Sequence, residues 1–361
     1  MGLHATDPAT VHLSAWARVD DLGRADTERA LYDDRTLVRM IGMRRTLFTE
    51  PVELAPIVHA ACAPTIVPRE RRRLEGWLLD GGVTATPKQW VADLEDATLA
   101  AIERLGAATA TELTRLVPEL ATQIPVSLKG APAGGIGAST RILFLLAMDG
   151  RISRGRPRGT WISSQYRWEP MANWVPMRDV AAGYSEASAQ AALVERWLRA
   201  FGPGTTEDLR WWTGLTLGAV RRALATLETV EVDLEDGTLG IVLADDLEPT
   251  ASSVPGAWIA LLPSLDSTTM GWTARDWYLA PHRPALFDRN GNAGPTIWLD
   301  GRVVGGWGQR QDGEVATRLL EDVGAEATTA IEARAAALTT WIDGVRVMPR
   351  FPTPLQLELS R

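Results

Sequence analysis

The sequence predicts an α+β protein built from tandem winged helix-turn-helix units and closed by a β-rich C-terminal part. Three observations predict it. One helix-turn-helix segment occurs twice, each copy runs on into a second helix and a polar-turned hairpin, and the texture changes to strand and loop near Pro255. Leu105-Gly106-Ala107-Ala108-Thr109-Ala110-Thr111-Glu112-Leu113 recurs as Phe201-Gly202-Pro203-Gly204-Thr205-Thr206-Glu207-Asp208-Leu209. In both copies glycine ends one helix, threonine caps the next, an acid (Glu112 or Glu207) favours its first turn and leucine begins the buried face.

The elements follow in order. An N-terminal incomplete winged-helix unit is assigned to residues 1–100, with a helical pattern at Thr27 to Tyr32 and a strand-turn-strand pattern at Leu37 to Phe48. It is expected to be incomplete because a unit of this kind has a helix or two ahead of Leu3. The second unit, 101–180, carries a helix over Ser139 to Met148 and a turn-rich wing from Asp149-Gly150-Arg151 to Trp161. The third, 181–250, carries a helix over Leu217 to Leu227 and alternating residues around Asp236-Gly237, a hairpin signal. Residues 251–361 are the β-rich part, with an Asp300-Gly301 hairpin and a final alanine-rich helix, Ala325 to Ile342. Ala133-Gly134-Gly135-Ile136-Gly137 lacks a βαβ context and is assigned as a flexible linker, and the chain after Met348 as an extended strap or frayed end.

Composition excludes several classes. No apolar run is long enough to span a membrane, and Met1 does not open a basic-then-apolar signal, so a cytoplasmic protein is expected. The single cysteine, Cys62, has no second thiol to pair with and is expected to be a buried small hydrophobe. Of the fifteen tryptophans, most are expected in the core. A formal net charge of −8 argues against coating nucleic acid through bulk charge. Arginines nevertheless gather at 69, 71, 72 and 73, at 151, 154, 156 and 158, and at 221 and 222. Each group is either a local positive face or solvated surface.

No phosphate loop, His-Glu-x-x-His, Gly-x-Ser-x-Gly or paired Cys-x-x-Cys motif occurs. The four histidines, His4, His12, His59 and His282, lack metal-ligand spacing, so neither a metal nor a cofactor is expected.

The order of several segments carries a resemblance. Leu3-His4-Ala5-Thr6-Asp7-Pro8 is followed by Trp16-Ala17-Arg18, then by Leu37-Val38-Arg39 and Met43-Arg44-Arg45-Thr46-Leu47. Further on stand Phe201-Gly202-Pro203 through Trp211-Trp212, then Leu261-Leu262-Pro263-Ser264-Leu265-Asp266, Pro295-Thr296 and Asp300-Gly301-Arg302-Val303-Val304-Gly305. Together they resemble the bacterial winged-helix DNA glycosylase family that includes AlkZ and YcaQ, over nearly the whole chain.

The resemblance implies an enzyme that encloses double-stranded DNA and excises N7-alkylated purines, in some members interstrand crosslinks, without a metal. Family members carry Gln-x-Gln or Gln-x-Asp where this chain has His4-Ala5-Thr6, and those two side chains hold the water that attacks the sugar C1′. An N7-alkylated purine is already cationic and leaves without protonation, so a weaker pair suffices: His4 to accept a proton, Thr6 to position the water. Asp7 is the other available base, or caps the turn ahead of Pro8. Arg44, in the family's Met-Arg-x-Thr-Leu strand, either meets phosphate or braces the site, and Arg45 contacts DNA or is an exposed strand residue. Arg151, Arg154, Arg156 and Arg158, with glycines at 155 and 159, are the wing candidates for phosphate contact, or a solvated loop.

A monomeric monofunctional DNA glycosylase is the leading expectation. The alternatives are a non-catalytic winged-helix DNA-binding regulator and a protein–protein assembly scaffold.

Overall fold

The computed structural model describes residues 1–126, 134–247 and 258–361. Its chain divides into two compact units: residues 28–193, and residues 1–27 together with 194–361.

In the first unit the strands Leu37–Ile41 and Leu47–Pro51 pair antiparallel across a tight turn at Met43–Arg45, as the pattern predicts. The hairpin tip is seated firmly, since a Cβ on Gly42 would lie 2.6 Å from a methyl of Val58 on the long helix Ala55–Asp80. Helix Pro87–Leu105 follows and stops at Gly106 with φ 70°. Thr109 then caps helix Ala110–Leu116 in a capping box with Glu112, satisfying two helix-end N–H donors reciprocally. Helix Ala138–Met148 buries Ile142, Leu143, Leu145 and Leu146. The segment expected as a wing contains the antiparallel pair Ile152–Pro157 and Tyr166–Pro170, whose second strand also pairs with Ala108–Thr109. Leu74, Leu78, Ile102, Leu113, Ile142 and Leu145 form the fully buried core of this unit.

The expected flexible linker is corrected over its described part: Gly134–Gly137 is a strand paired antiparallel with Gln123–Val126. Backbone pairing gives even a glycine-rich segment a fixed partner for every second residue. Ala133 lies outside the described residues.

In the second unit the repeated segment behaves as read, with Glu207 in the first turn of the capped helix, joined there by Asp208. Thr205 caps helix Thr206–Thr213 in a box with Asp208, while Glu207 ion-pairs with Arg210. The helix start is counted from the cap, so the acid three residues on is the one that reaches back. Helix Leu217–Leu224 and the hairpin Thr229–Asp233/Leu239–Leu243 follow as read. The β-rich part is a four-stranded antiparallel sheet, Ile259–Leu262, Thr296–Leu299, Arg302–Gln309 and Val315–Leu319 in that spatial order. Asp300 at φ 48° and Gly301 at φ 86° make the two-residue turn that Asp-Gly favours.

The final helix, Gly324–Ile342, packs on this sheet and meets the N-terminal helix Pro8–Trp16. Trp16 and Trp341 lie 6.1 Å apart, and the Trp341 indole N–H donates to the Leu22 carbonyl at 2.7 Å. The tail is a second correction: Pro354–Leu359 is a helix lying on strand Arg302–Gln309, with Leu355 buried. Gly306 and Gly308 leave the room it occupies, since a Cβ at either would reach Leu355 or Leu359 within 3.0 Å.

Eight tryptophans are buried among the described residues, Trp197 and Trp212 nearly completely, in line with the expectation that they serve the core.

Candidate functional site

The N-terminal candidates sit on a short segment held at both ends. Ahead of it, Ser267 Oγ donates to the Gly2 carbonyl at 2.6 Å. Behind it, Asp7 accepts from the Ala9 N–H through Oδ1 and from the Arg350 N–H through Oδ2, both at 3.1 Å. Asp7 is therefore the cap of helix Pro8–Trp16 with both oxygens committed to backbone donors, and burial raises its pKa. Between these anchors Ala5 is fully buried while His4 and Thr6 are half-buried. The Thr6 N–H donates to His4 Nδ1 over a long 3.4 Å.

Two residues outside the expected site hold the helix behind this segment. Asp266, fully buried, takes a bidentate bond from Arg18 at 2.9 and 2.7 Å and a 2.6 Å bond from Ser14 Oγ. Thr10 Oγ1 adds a bond to the Ser264 carbonyl at 2.8 Å. The segments Trp16-Ala17-Arg18 and Pro263-Ser264-Leu265-Asp266 are thus one joint, and a bidentate Arg–carboxylate pair fixes its geometry as well as contributing energy.

The arginine candidates lie in the unit of residues 28–193. Arg44 and Arg45 occupy the Met43–Arg45 turn at φ 55° and 62°, a left-handed conformation that costs a side-chain-bearing residue roughly 1–2 kcal/mol. Arg44 is half-buried and Arg45 exposed, its guanidinium donating to Glu70 at 2.8 Å.

All four wing arginines have protein partners. Arg151 ion-pairs with Asp96 at 3.6 Å, Arg156 with Asp33 at 2.8 Å and Glu28 at 3.9 Å, and Arg158 with Glu112. Arg154 lies over both Tyr166 and Trp168, 5.3 Å from each ring. The fully buried Arg39, between Tyr32 at 5.3 Å and Tyr166 at 5.0 Å, continues this ladder to Arg156 over Tyr32. Gly155 faces the Glu169 carboxylate, which a Cβ there would overlap.

Cys62 is buried, and burial together with the nearby Glu50 pushes its thiol up to about 12, so it is not a thiolate nucleophile at neutral pH. No group of three His, Cys, Asp or Glu side chains suited to a metal occurs among the described residues. No helix among them is long and apolar enough to cross a membrane.

Comparison with known proteins places the chain. A family model described as DNA glycosylase AlkZ-like matches residues 1–341. An interstrand DNA cross-link repair glycosylase of Streptomyces sahachiroi is 30% identical over 245 residues, which are 64% of this chain and 60% of that protein. The chain so matches about three-fifths of the length of that relative. A solved structure of the Streptomyces sahachiroi DNA glycosylase AlkZ superimposes with a TM-score of 0.68 at 25% identity, covering 96% of this chain and 90% of that one. A urease accessory protein UreF of Pseudomonas putida is 29% identical over 203 residues, 53% of this chain and 83% of that protein. With the family model running through both units and nearly all of the mixed helix-and-strand fold shared with a solved member, the chain belongs to the AlkZ-like DNA glycosylase family.

Proposed function

We propose that the protein is a DNA glycosylase that hydrolyses the N-glycosidic bond of N7-alkylated purines in double-stranded DNA, crosslinked purines included. Family membership supports the reaction class, and the anchored His4-Ala5-Thr6 segment is the observation that carries it for this chain. A water attacking C1′ must be held on one face of the sugar while positive charge grows on the ring, and the cationic purine departs with the glycosidic electron pair. The Thr6 hydroxyl is assigned to hold that water and His4 to take up its proton. Asp7 serves as the anchor, its oxygens being taken by N–H donors.

The same reading takes the chain as winged-helix units at 1–100, 101–180 and 181–250, and the β-rich part at 251–361. It works as a cytoplasmic monomer on duplex DNA without a metal or cofactor. Among the wing residues, exposed Arg156 and Arg158 are assigned to exchange their carboxylates for phosphates, while Arg151 and Arg154 brace the wing. Arg44 and Arg45 are assigned to the DNA side of the hairpin tip.

Incubation with duplex containing N7-methylguanine, followed by cleavage at abasic sites, tests the proposal. Lesion-dependent abasic sites are expected, and none above background overturns it. The presence of His4 and Thr6, with no glutamine at either position, favours a second reading, a non-catalytic DNA-binding protein, whose mark is duplex binding without base loss.

A further inference from the structure

Glu70 on helix Ala55–Asp80 is buried to 1% exposure, yet four arginines converge on it. Arg45 from the hairpin tip and Arg141 from helix Ala138–Met148 each reach one of its oxygens at 2.8 Å. Arg69 and Arg73 stand off at 3.9 and 4.0 Å, beyond hydrogen-bond distance. Aromatic faces pack against two of the guanidiniums: Arg73 and Arg141 lie over Trp77 at 4.9 and 5.3 Å, and Arg141 also over Phe144 at 5.1 Å.

One carboxylate offset by four guanidiniums leaves three positive charges, and the surplus is turned outward. Arg45, Arg69 and Arg73 have side chains 39%, 64% and 47% exposed, whereas Arg141 is 15% exposed. Satisfying a buried carboxylate takes one or two guanidiniums, and each further one adds like-charge repulsion that an anion would relieve. Arg45 moreover keeps its side chain at φ 62°, where glycine would be the unstrained choice.

We propose that Arg45, Arg69 and Arg73, organised by Glu70, form a phosphate-binding face that grips the backbone of duplex DNA. The proposal rests on the reading of the chain as a DNA enzyme and adds a contact site outside the wing. Arg141 is its positioning residue, fixing Glu70 from below. The guanidinium forks suit phosphate oxygens, and such contacts position a duplex without reading its sequence.

The test is binding of undamaged duplex DNA by the full chain across a salt series. Each phosphate contact removed lowers the slope of log affinity against log salt by about 1. The double variant Arg69→Gln/Arg73→Gln is therefore expected to lose about 2 from the slope and roughly tenfold or more in affinity at low salt. Arg104→Gln/Arg115→Gln, exposed residues of the same unit, makes the same change in net charge and is expected to leave the slope within half a unit of wild type. Equal slopes for wild type and the Arg69/Arg73 variant, or equal losses in both variants, overturn the face while leaving excision of N7-methylguanine by the wild type to stand. A wild type that neither binds duplex at low salt nor excises overturns the enzyme reading and the face together.

Discussion

Glu50 and Glu70 lie in the same unit, both essentially without solvent exposure, and their electrostatics are opposite. Glu70 is met by four guanidiniums, and its hydrogen bonds from Arg141 and Arg45 outweigh burial and hold its carboxyl below the usual range. Glu50, on strand Leu47–Pro51, has neither side-chain oxygen hydrogen-bonded among the described residues, and burial pushes it up to about 8. Burial alone therefore does not decide whether a carboxyl carries charge; partners do. The lesson bears on function because the charged carboxylate gathers arginines at the surface, while the neutral one stays silent beside Cys62.

Removing the partnered carboxylate breaks this contrast most severely. Glu70→Ala leaves guanidiniums facing one another around an empty site and is expected to cost about 3 kcal/mol in urea unfolding. A cost below about 1 kcal/mol contradicts the picture of Glu70 as the organising charge. Asp266→Asn is next: it keeps the shape but weakens the bidentate bond from Arg18, at about 2 kcal/mol, and slows excision by loosening the helix behind His4. Unchanged kinetics together with reduced stability would show the joint to be structural only.

Glu50→Gln is expected to stabilise, and the sign follows from linkage. The folded carboxyl titrates near 8 against 4.5 unfolded, so its stabilising protonation is complete below 4.5 and is lost as pH rises toward 8. The variant's melting temperature should match wild type near pH 4 and exceed it increasingly as pH rises toward 8. A gap that is independent of pH breaks the assignment. Smallest is Thr109→Ala, which removes one capping box for about 1 kcal/mol. Thr205→Ala should cost a similar amount if the two repeated segments are equivalent, and thermal melts of the two variants compare them directly.

Local signals were legible in the sequence. The Thr109 and Thr205 caps, the Asp300-Gly301 turn and the hairpin over Leu37 to Phe48 depend on neighbours within a few residues, and the fold follows them. Long-range pairings were not legible. Arg18 and Asp266 are separated by 248 residues, and although both segments carried the family resemblance, neither announced the other. The run Arg69 to Arg73 looked like one cluster, but successive helical residues point about 100° apart. The structure accordingly sends Arg71 to Glu95 and Arg69 and Arg73 to Glu70. The wing arginines looked available because Asp33, Asp96 and Glu112 lie far away in sequence. The helix at Pro354–Leu359 was hidden by its short length and flanking prolines, and it holds its shape through the strand beneath it.

The most direct test of the central claim is single-turnover release of 7-methylguanine from duplex DNA by wild type and by His4→Ala/Thr6→Ala. The account predicts release by the wild type, a loss of a hundredfold or more in the variant (on the order of a general-base contribution), and unchanged duplex binding. Equal release by both proteins would contradict it.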